Sequence, residues 1–280
     1  MYKQRVIVGG TEADVRAWGP DETPSGVPSW SLKSIQTQWD IPYGQKPLAD
    51  GICGVLKSMG VHKAYAPHVS PASAKIVETN VLKQIDLGEE RMLYRNCHAP
   101  ADGVFLGKGR AFVMSGSGCP VIIAAGGDKV VVAHAGRDSL IDRGVVMEVP
   151  ITREHVSVVN AVVSAFREND IAPHQISMRM LFSIPAAVFE HRFDHPQHGQ
   201  YNLALFRFLN ERWPMSIIRR NGAMYLDLET LFEEQARSAG IMYALAMCPL
   251  TLAEFPGLTH TRRDGRDPSE RNLVVVKRCS

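Results

Sequence analysis

The chain has 280 residues, is 45% hydrophobic, and carries 31 Lys and Arg against 29 Asp and Glu, a formal net charge of +2. That is enough apolar material for a sizeable core, with no run of eighteen apolar residues to span a membrane and no broad basic face for nucleic acid. Membrane and nucleic-acid partners are therefore excluded, and a small molecule or a protein is the expected substrate. The five cysteines (Cys53, Cys97, Cys119, Cys248, Cys279) are odd in number and share no short spacing, so neither a disulfide framework nor a Cys-x-x-Cys zinc ribbon is expected.

The start, "MYKQRVIVGGTEADVRAW", shows no apolar h-region with a small-residue cleavage site, which makes the cytoplasm the expected location. "VGGTEAD" (8–14) lacks the Gly-x-Gly-x-x-Gly spacing of a dinucleotide loop. Glu12 to Gln45, rich in Pro, Gly, Ser and Trp and without clean periodicity, reads as a covering segment. His62 and His68 have no identifiable partner and read as surface or core histidines. "RAFVMSG" (110–116), "CPVIIAA" (119–125) and "KVVVAHA" (129–135) are short β-branched runs, the last two joined by "GGD", and predict consecutive antiparallel strands. "TREHVSVVNAVVSAFREND" (152–170) has helical spacing behind Thr152 as a candidate cap. In "HRFDHPQH", Pro196 keeps His191 and His195 from sharing a regular helix face, so His191, Asp194, His195 and His198 read as a polar loop rather than a metal cluster. "DLETLFEEQARSAG" (227–240) is a second amphipathic helix, with Gly240 at its C′ position. "ISMRMLFSI" (176–184), "MSIIRR" (215–220), "IMYALAM" (241–247) and "NLVVVKR" (272–278) are further strands, and the irregular alternation gives one α+β or mixed α/β domain.

Cys119 and His134 stand at the two ends of the predicted hairpin, where cross-strand contact is geometrically open to them. A nearby imidazole or metal favours the thiolate and makes cysteine a nucleophile or a ligand. The alternative is a small buried cysteine and an unremarked strand-end histidine. The flanking "SGSG" and "AG" favour chemistry, because an apolar core hairpin has no need of such close backbone approach.

Several segments resemble the YfiH-like proteins, often labelled polyphenol oxidases or laccase-domain proteins. "HTRRDGRDPSERNLVVVKR" (260–278) is similar to that family's Ser-Tyr-Arg-Arg-Asp segment and final strand, and "GCPVIIAAGGDKVVVAHAG" to its Ala-Asp-Cys-x-Pro-Val and His-Ala-Gly strands. "YLDLETLFEEQARSAGI", "MCPLTLAEFPG" and "ADGVFLGKGRAFVMSGSGC" resemble neighbouring segments, "IVETNVLKQIDLG" (76–88) the helix before the family's Gln-Val-His segment, and "LYRNCHAPADG" places the family's first histidine at His98. The resemblance covers most of residues 65–278 and implies a single-domain α+β layered sandwich of mixed β-sheets with flanking helices. A covering segment over 1–50 then precedes the catalytic domain over 51–280.

The resemblance also implies a site of His98, Cys119 and His134 that binds zinc, ahead of copper, and handles purine nucleosides by phosphorolysis or deamination. Three N/S ligands leave an open tetrahedral position, the arrangement of a catalytic zinc. Arg137, Arg262 and Arg263 are the substrate-binding candidates. The chain departs from the pattern in four places. Ser117-Gly118 replaces Ala-Asp, "HAGRDS" replaces His-Ala-Gly-Trp-Arg-Gly, "FSIPAAVFEHRF" replaces a Gly-Pro-x-Ile-Gly turn, and Asn80-Val81 replaces an asparagine-arginine pair. The same segment, "GSGC" with His134 after it, also resembles the cytotoxic necrotizing factor type of glutamine deamidase. There Cys119 would attack a carboxamide, with His134 as base and then acid. A binding protein that kept the scaffold without catalysis is the third alternative.

Overall fold

A computed structural model describes residues 1–27, 29–32, 45–69, 74–95, 100–148, 156–246, 258 and 270–280. In chain order the strands are β1 (Tyr2–Val8), β2 (Thr11–Trp18), β3 (Lys63–Tyr65), β4 (Ile76–Val77), β5 (Lys83–Gly88), β6 (Arg91–Arg95), β7 (Gly103–Phe105), β8 (Ala111–Gly116), β9 (Val121–Gly126), β10 (Lys129–His134), β11 (Ser177–Leu181), β12 (Glu190–His191), β13 (Ile217–Arg220), β14 (Ala223–Leu226), β15 (Tyr243–Ala246) and β16 (Asn272–Arg278). The helices are α1 (Lys46–Ser58), α2 (Arg137–Leu140), α3 (Arg143–Val146), α4 (Val158–Arg167), α5 (Gly199–Arg212) and α6 (Leu228–Ser238).

Among the described residues these strands form three sheets, mixed or antiparallel. The largest runs β1-β2-β16-β8-β3-β6-β5, the second β15-β11-β9-β10-β7-β4, and a small one β12-β14-β13. The central strands of the two large sheets are apolar on both faces, because each of those sheets is covered on both sides. On β9, Val121, Ile123 and Ala125 join Phe112 and Met114 of β8 and Val274 and Val276 of β16 in the layer between the two large sheets. The alternate residues Ile122 and Ala124 face the other way, with Val131 and Ala133 of β10, into a core shared with α4, α5 and α6. Val113 and Val275 point to the opposite outer side, against α1, Trp30 and Leu32. The order is therefore helix, sheet, sheet, helix, the α+β layered sandwich expected. No helix among the described residues is long and apolar enough to cross a membrane.

Four local expectations are corrected. Glu12–Gln45 does not begin as a cover: Thr11–Trp18 lies inside the large sheet, paired with β1 on one side and β16 on the other. Gly9 and Gly10, at φ 53° and 81°, make the tight turn that starts it. Among the described residues Trp30 does cover the sheet, and its indole Nε1 donates to Gly19 O at 2.9 Å. The helix expected over 76–88 is instead β4, a single 3-10 turn at Thr79–Val81 and then β5, which alternates exposed and buried residues at period two from Gln84 to Gly88. The helix after 152 starts late, capped by Ser157, whose Oγ accepts from Asn160 N at 3.3 Å. Thr152 lies outside the described residues. The α6 helix matches its expected span, with Asp227 capping it and Gly240 at φ 87° just beyond.

The fourth correction sets up the site. The three apolar runs at 110–135 are not one meander, because β8 belongs to the large sheet and β9 and β10 to the second. Ser117–Pro120 carries the chain across from one sheet to the other, and Cys119 is on that bridge.

Candidate active site

Gly118, at φ 105°, takes a backbone conformation that costs glycine least and delivers Cys119 partly exposed just ahead of β9. His134 ends β10, with Val121 as its ladder partner. The pairing continues one step further, Ala135 N donating to Pro120 O at 2.8 Å, and this folds Cys119 back over the strand end. Cys119 and His134 thus meet as expected, though across the end of the ladder rather than as a cross-strand pair. Their side chains converge over Gly136, with Nε2 and Sγ on the same side.

Gly136 makes room for that contact. A Cβ there would lie 2.7 Å from His134 Nε2, 2.9 Å from Cε1 and 3.4 Å from Cys119 Sγ. Its φ is −61°, so space and not backbone conformation demands the glycine. Gly136→Ala is expected to leave the melting temperature near that of the parent but to push the ring off the thiol. Alkylation of Cys119 by iodoacetamide at pH 7, followed by mass spectrometry, should slow about tenfold.

Sequence reasoning missed the third member, Asp102, which is fully buried just ahead of β7. Its Oδ1 accepts from His134 Nδ1 at 3.0 Å, and its backbone oxygen from His134 N at 2.8 Å. Gly103 brings it there: a Cβ at that position would be 2.6 Å from both Val132 O and Ala133 Cβ, so only glycine lets β7 approach β10 this closely. Ser139, in α2, donates from Oγ to the same Asp102 Oδ1 at 2.7 Å. An acidic residue between Ala101 and Gly103, immediately before an apolar run, was the available signal.

With Nδ1 committed to Asp102, Nε2 faces the thiol. Burial, the largest single influence, would raise the Cys119 thiol. The His134 charge and hydrogen bond outweigh it, with help from Arg271 and against Asp138, and hold the thiol below its ordinary range. Burial likewise opposes charge on His134, but the Cys119 thiolate and the Asp102 hydrogen bond push its pKa up to about 10. Together these influences favour a thiolate beside an imidazolium, backed by a carboxylate. Cys53 is the contrast, its thiol pushed up chiefly by burial.

Arg137 stands beside the pair. Its guanidinium donates to Asp138 Oδ1 at 2.8 Å and, from Nη1, to His191 Nε2 at 3.3 Å, while His191 Nδ1 donates to Phe189 O. It also lies 5.3 Å from the Tyr201 ring centre, and Arg143 lies 4.6 Å from the same centre. Arg137 walls a pocket of about 350 Å³ with Glu190, Arg192, His195, His198 and Asn202. Arg192 pairs with Asp194 at 2.8 Å, and the His195 and His198 rings stack 4.8 Å apart.

Cys119 and His134 supply two of the three implied metal donors. Among the described residues no further His, Cys, Asp or Glu completes a metal-binding group. His98, Arg262 and Arg263 lie outside the described residues.

No protein-family model matches the sequence. No curated protein matches it either. The structure is similar to that of a Neisseria meningitidis protein described by the DUF152 family model, with a TM-score of 0.64 and 14% identity over 100% of both chains. It is also similar to the hypothetical protein YfiH of Bacillus licheniformis, at TM-score 0.64 and 12% identity over 95% of this chain and 92% of that one. A third solved structure, YlmD of Geobacillus stearothermophilus, matches at TM-score 0.62 and 14% identity over 97% and 93%.

Proposed function

We propose, for a chain that carries the YfiH-like fold, that Cys119, His134 and His98 are the reactive centre of an enzyme acting on purine nucleosides such as adenosine or inosine. The observation that carries this reading is the convergence of Cys119 Sγ and His134 Nε2 above Gly136 with His134 Nδ1 bonded to the buried Asp102, since a buried charged group of this kind is costly and serves reactivity rather than packing. The donor chemistry fits zinc. Sγ and Nε2 converge above Gly136, and the Asp102 contact fixes Nδ1 as the protonated nitrogen, leaving Nε2 to ligate. Zinc held by Cys119, His134 and His98 would supply a water of lowered pKa or polarise a purine or phosphate oxygen.

The chain's own groups have separate tasks in this reading. His134 would hold the metal through Nε2, and Asp102, accepting from Nδ1, keeps the ring oriented for it. Arg137, with Arg262 and Arg263 from the last segment, holds the polar end of the substrate. Val81 stands where the resemblance has an arginine, so phosphate is held weakly and conversion without phosphate is favoured over phosphorolysis. Chromatography of adenosine and inosine reactions, with and without phosphate, should show conversion by the parent chain and none by Cys119→Ala. Failure of both nucleosides to react overturns the assignment.

A second reading is favoured by the completeness of the Cys119–His134–Asp102 run without any metal. The thiolate adds to a carboxamide carbon, His134 protonates the leaving ammonia, and water then cleaves the thioester, the amides near Gly118 holding the oxyanion. Cys119-dependent deamidation of a glutamine peptide, with nucleosides untouched, would establish this reading in place of the first. If neither substrate reacts, the scaffold serves binding alone.

A further inference from the structure

The resemblance has glycine where this chain has Ser139, so the chain has placed a hydroxyl at a position that would otherwise bear no side chain. That hydroxyl is inside the site. Ser139 is 1% exposed, its Oγ donates to Asp102 Oδ1 at 2.7 Å, and the same Oγ lies 3.0 Å from His134 Nδ1. Asp102 Oδ1 is itself 3.0 Å from that nitrogen. The three groups close a small ring in which the Nδ1 proton has two acceptors at equal distance and the carboxylate oxygen has two donors.

We propose that Ser139 is a positioning residue of this site, which holds the His134 ring and its Nδ1 proton in place so that Nε2 stays aimed at Cys119. A carboxylate alone fixes one point on the imidazole and leaves the ring free to rotate about that contact. A second acceptor on the same proton removes the freedom, and the serine's own bond to Oδ1 keeps the carboxylate from swinging away. The backbone supports the placement, because Ser139 N donates to Gly136 O at 2.9 Å, tying the serine to the glycine that makes room for the ring. The inference rests on Cys119 and His134 being the reactive pair and is independent of which substrate they act on.

The test uses Ser139→Ala and Ser139→Gly, the latter restoring the residue of the resembling pattern. Two quantities are measured in chelator-containing buffer at one fixed pH: the rate of Cys119 alkylation, and the proton NMR signal of His134 Nδ1–H, buried and shifted downfield by its acceptors. Both variants should alkylate about threefold to tenfold more slowly, less than a hydrogen bond to a charged group supplies directly, because the serine reaches the sulfur only through the His134 ring. The downfield signal should move or broaden while the melting temperature shifts little. An unchanged rate in both variants overturns the inference, as does a slowed rate with an unmoved Nδ1 signal, which would mean that Ser139 acts through packing. If the parent chain's Cys119 reacts no faster than that of His134→Ala, the reactive-pair reading itself is what fails.

Discussion

Replacing His134 by alanine is expected to slow the alkylation of Cys119 at pH 7 about a hundredfold, the low end of what a positioned proton-accepting group contributes. The sign follows from the groups around the sulfur. Burial raises the thiol, and His134 by charge and hydrogen bond is the principal influence that lowers it. In the parent chain the thiolate therefore forms as pH rises through a value below the ordinary thiol range, and it persists beside the imidazolium until His134 loses its proton near 10. Alanine removes the cation and leaves the burial, so the midpoint of the alkylation profile must move up and the thiolate present at pH 7 must fall. Cys53 serves as the internal reference, because burial already holds its thiol above the usual range. A His134→Ala profile superimposable on the parent's would show that the imidazole does not activate the sulfur, and both catalytic readings would lose their basis.

How much of this was legible in the sequence depends on how local the signal is. The α6 helix is legible because its apolar spacing and Gly240 are local features, and the structure adds Asp227 as its cap. Cys119 and His134 were found together because one tight turn separates their strands. Asp102 was not found, since it reaches His134 through the pairing of β7 with β10, and nothing within a few residues of it records that pairing. The assignment of β8 to the same sheet as β9 failed for the same reason: β-branched runs announce strands but not partners, and β8 pairs with β16, more than 150 residues later in the chain. The strand at Thr11–Trp18 was hidden because both its faces are largely buried, which removes the polar alternation that marks a half-exposed strand. Ser139 was quoted within "HAGRDS" as a departure from the pattern, yet its meaning appears only when Asp102 is placed beside it.

Asp102→Asn separates the carboxylate's charge from its shape, and it is expected to slow Cys119 alkylation at pH 7 about tenfold to a hundredfold, the range of a hydrogen bond to a charged group. Asparagine has nearly the same volume and can still accept from His134 Nδ1, so the fold should persist. Asp102→Ala is the harsher change, leaving the Ser139 hydroxyl without its acceptor and Nδ1 with the serine alone in a fully buried position, at a cost of about 1–3 kcal/mol for the unsatisfied donor. Asp102 is one of the groups that raise the His134 pKa, by hydrogen bond and by charge. Without that charge His134 holds its proton less tightly, the imidazolium beside Cys119 is depleted, and the thiol rises towards its ordinary range. The cation is weakened and not removed, so the alkylation midpoint of Asp102→Asn must fall between those of the parent and His134→Ala. That order of three midpoints, measured with melting temperatures on the same samples, is the check. Parent-like reactivity in Asp102→Asn would reduce Asp102 to a buried strand-end residue and leave Cys119 and His134 as a dyad.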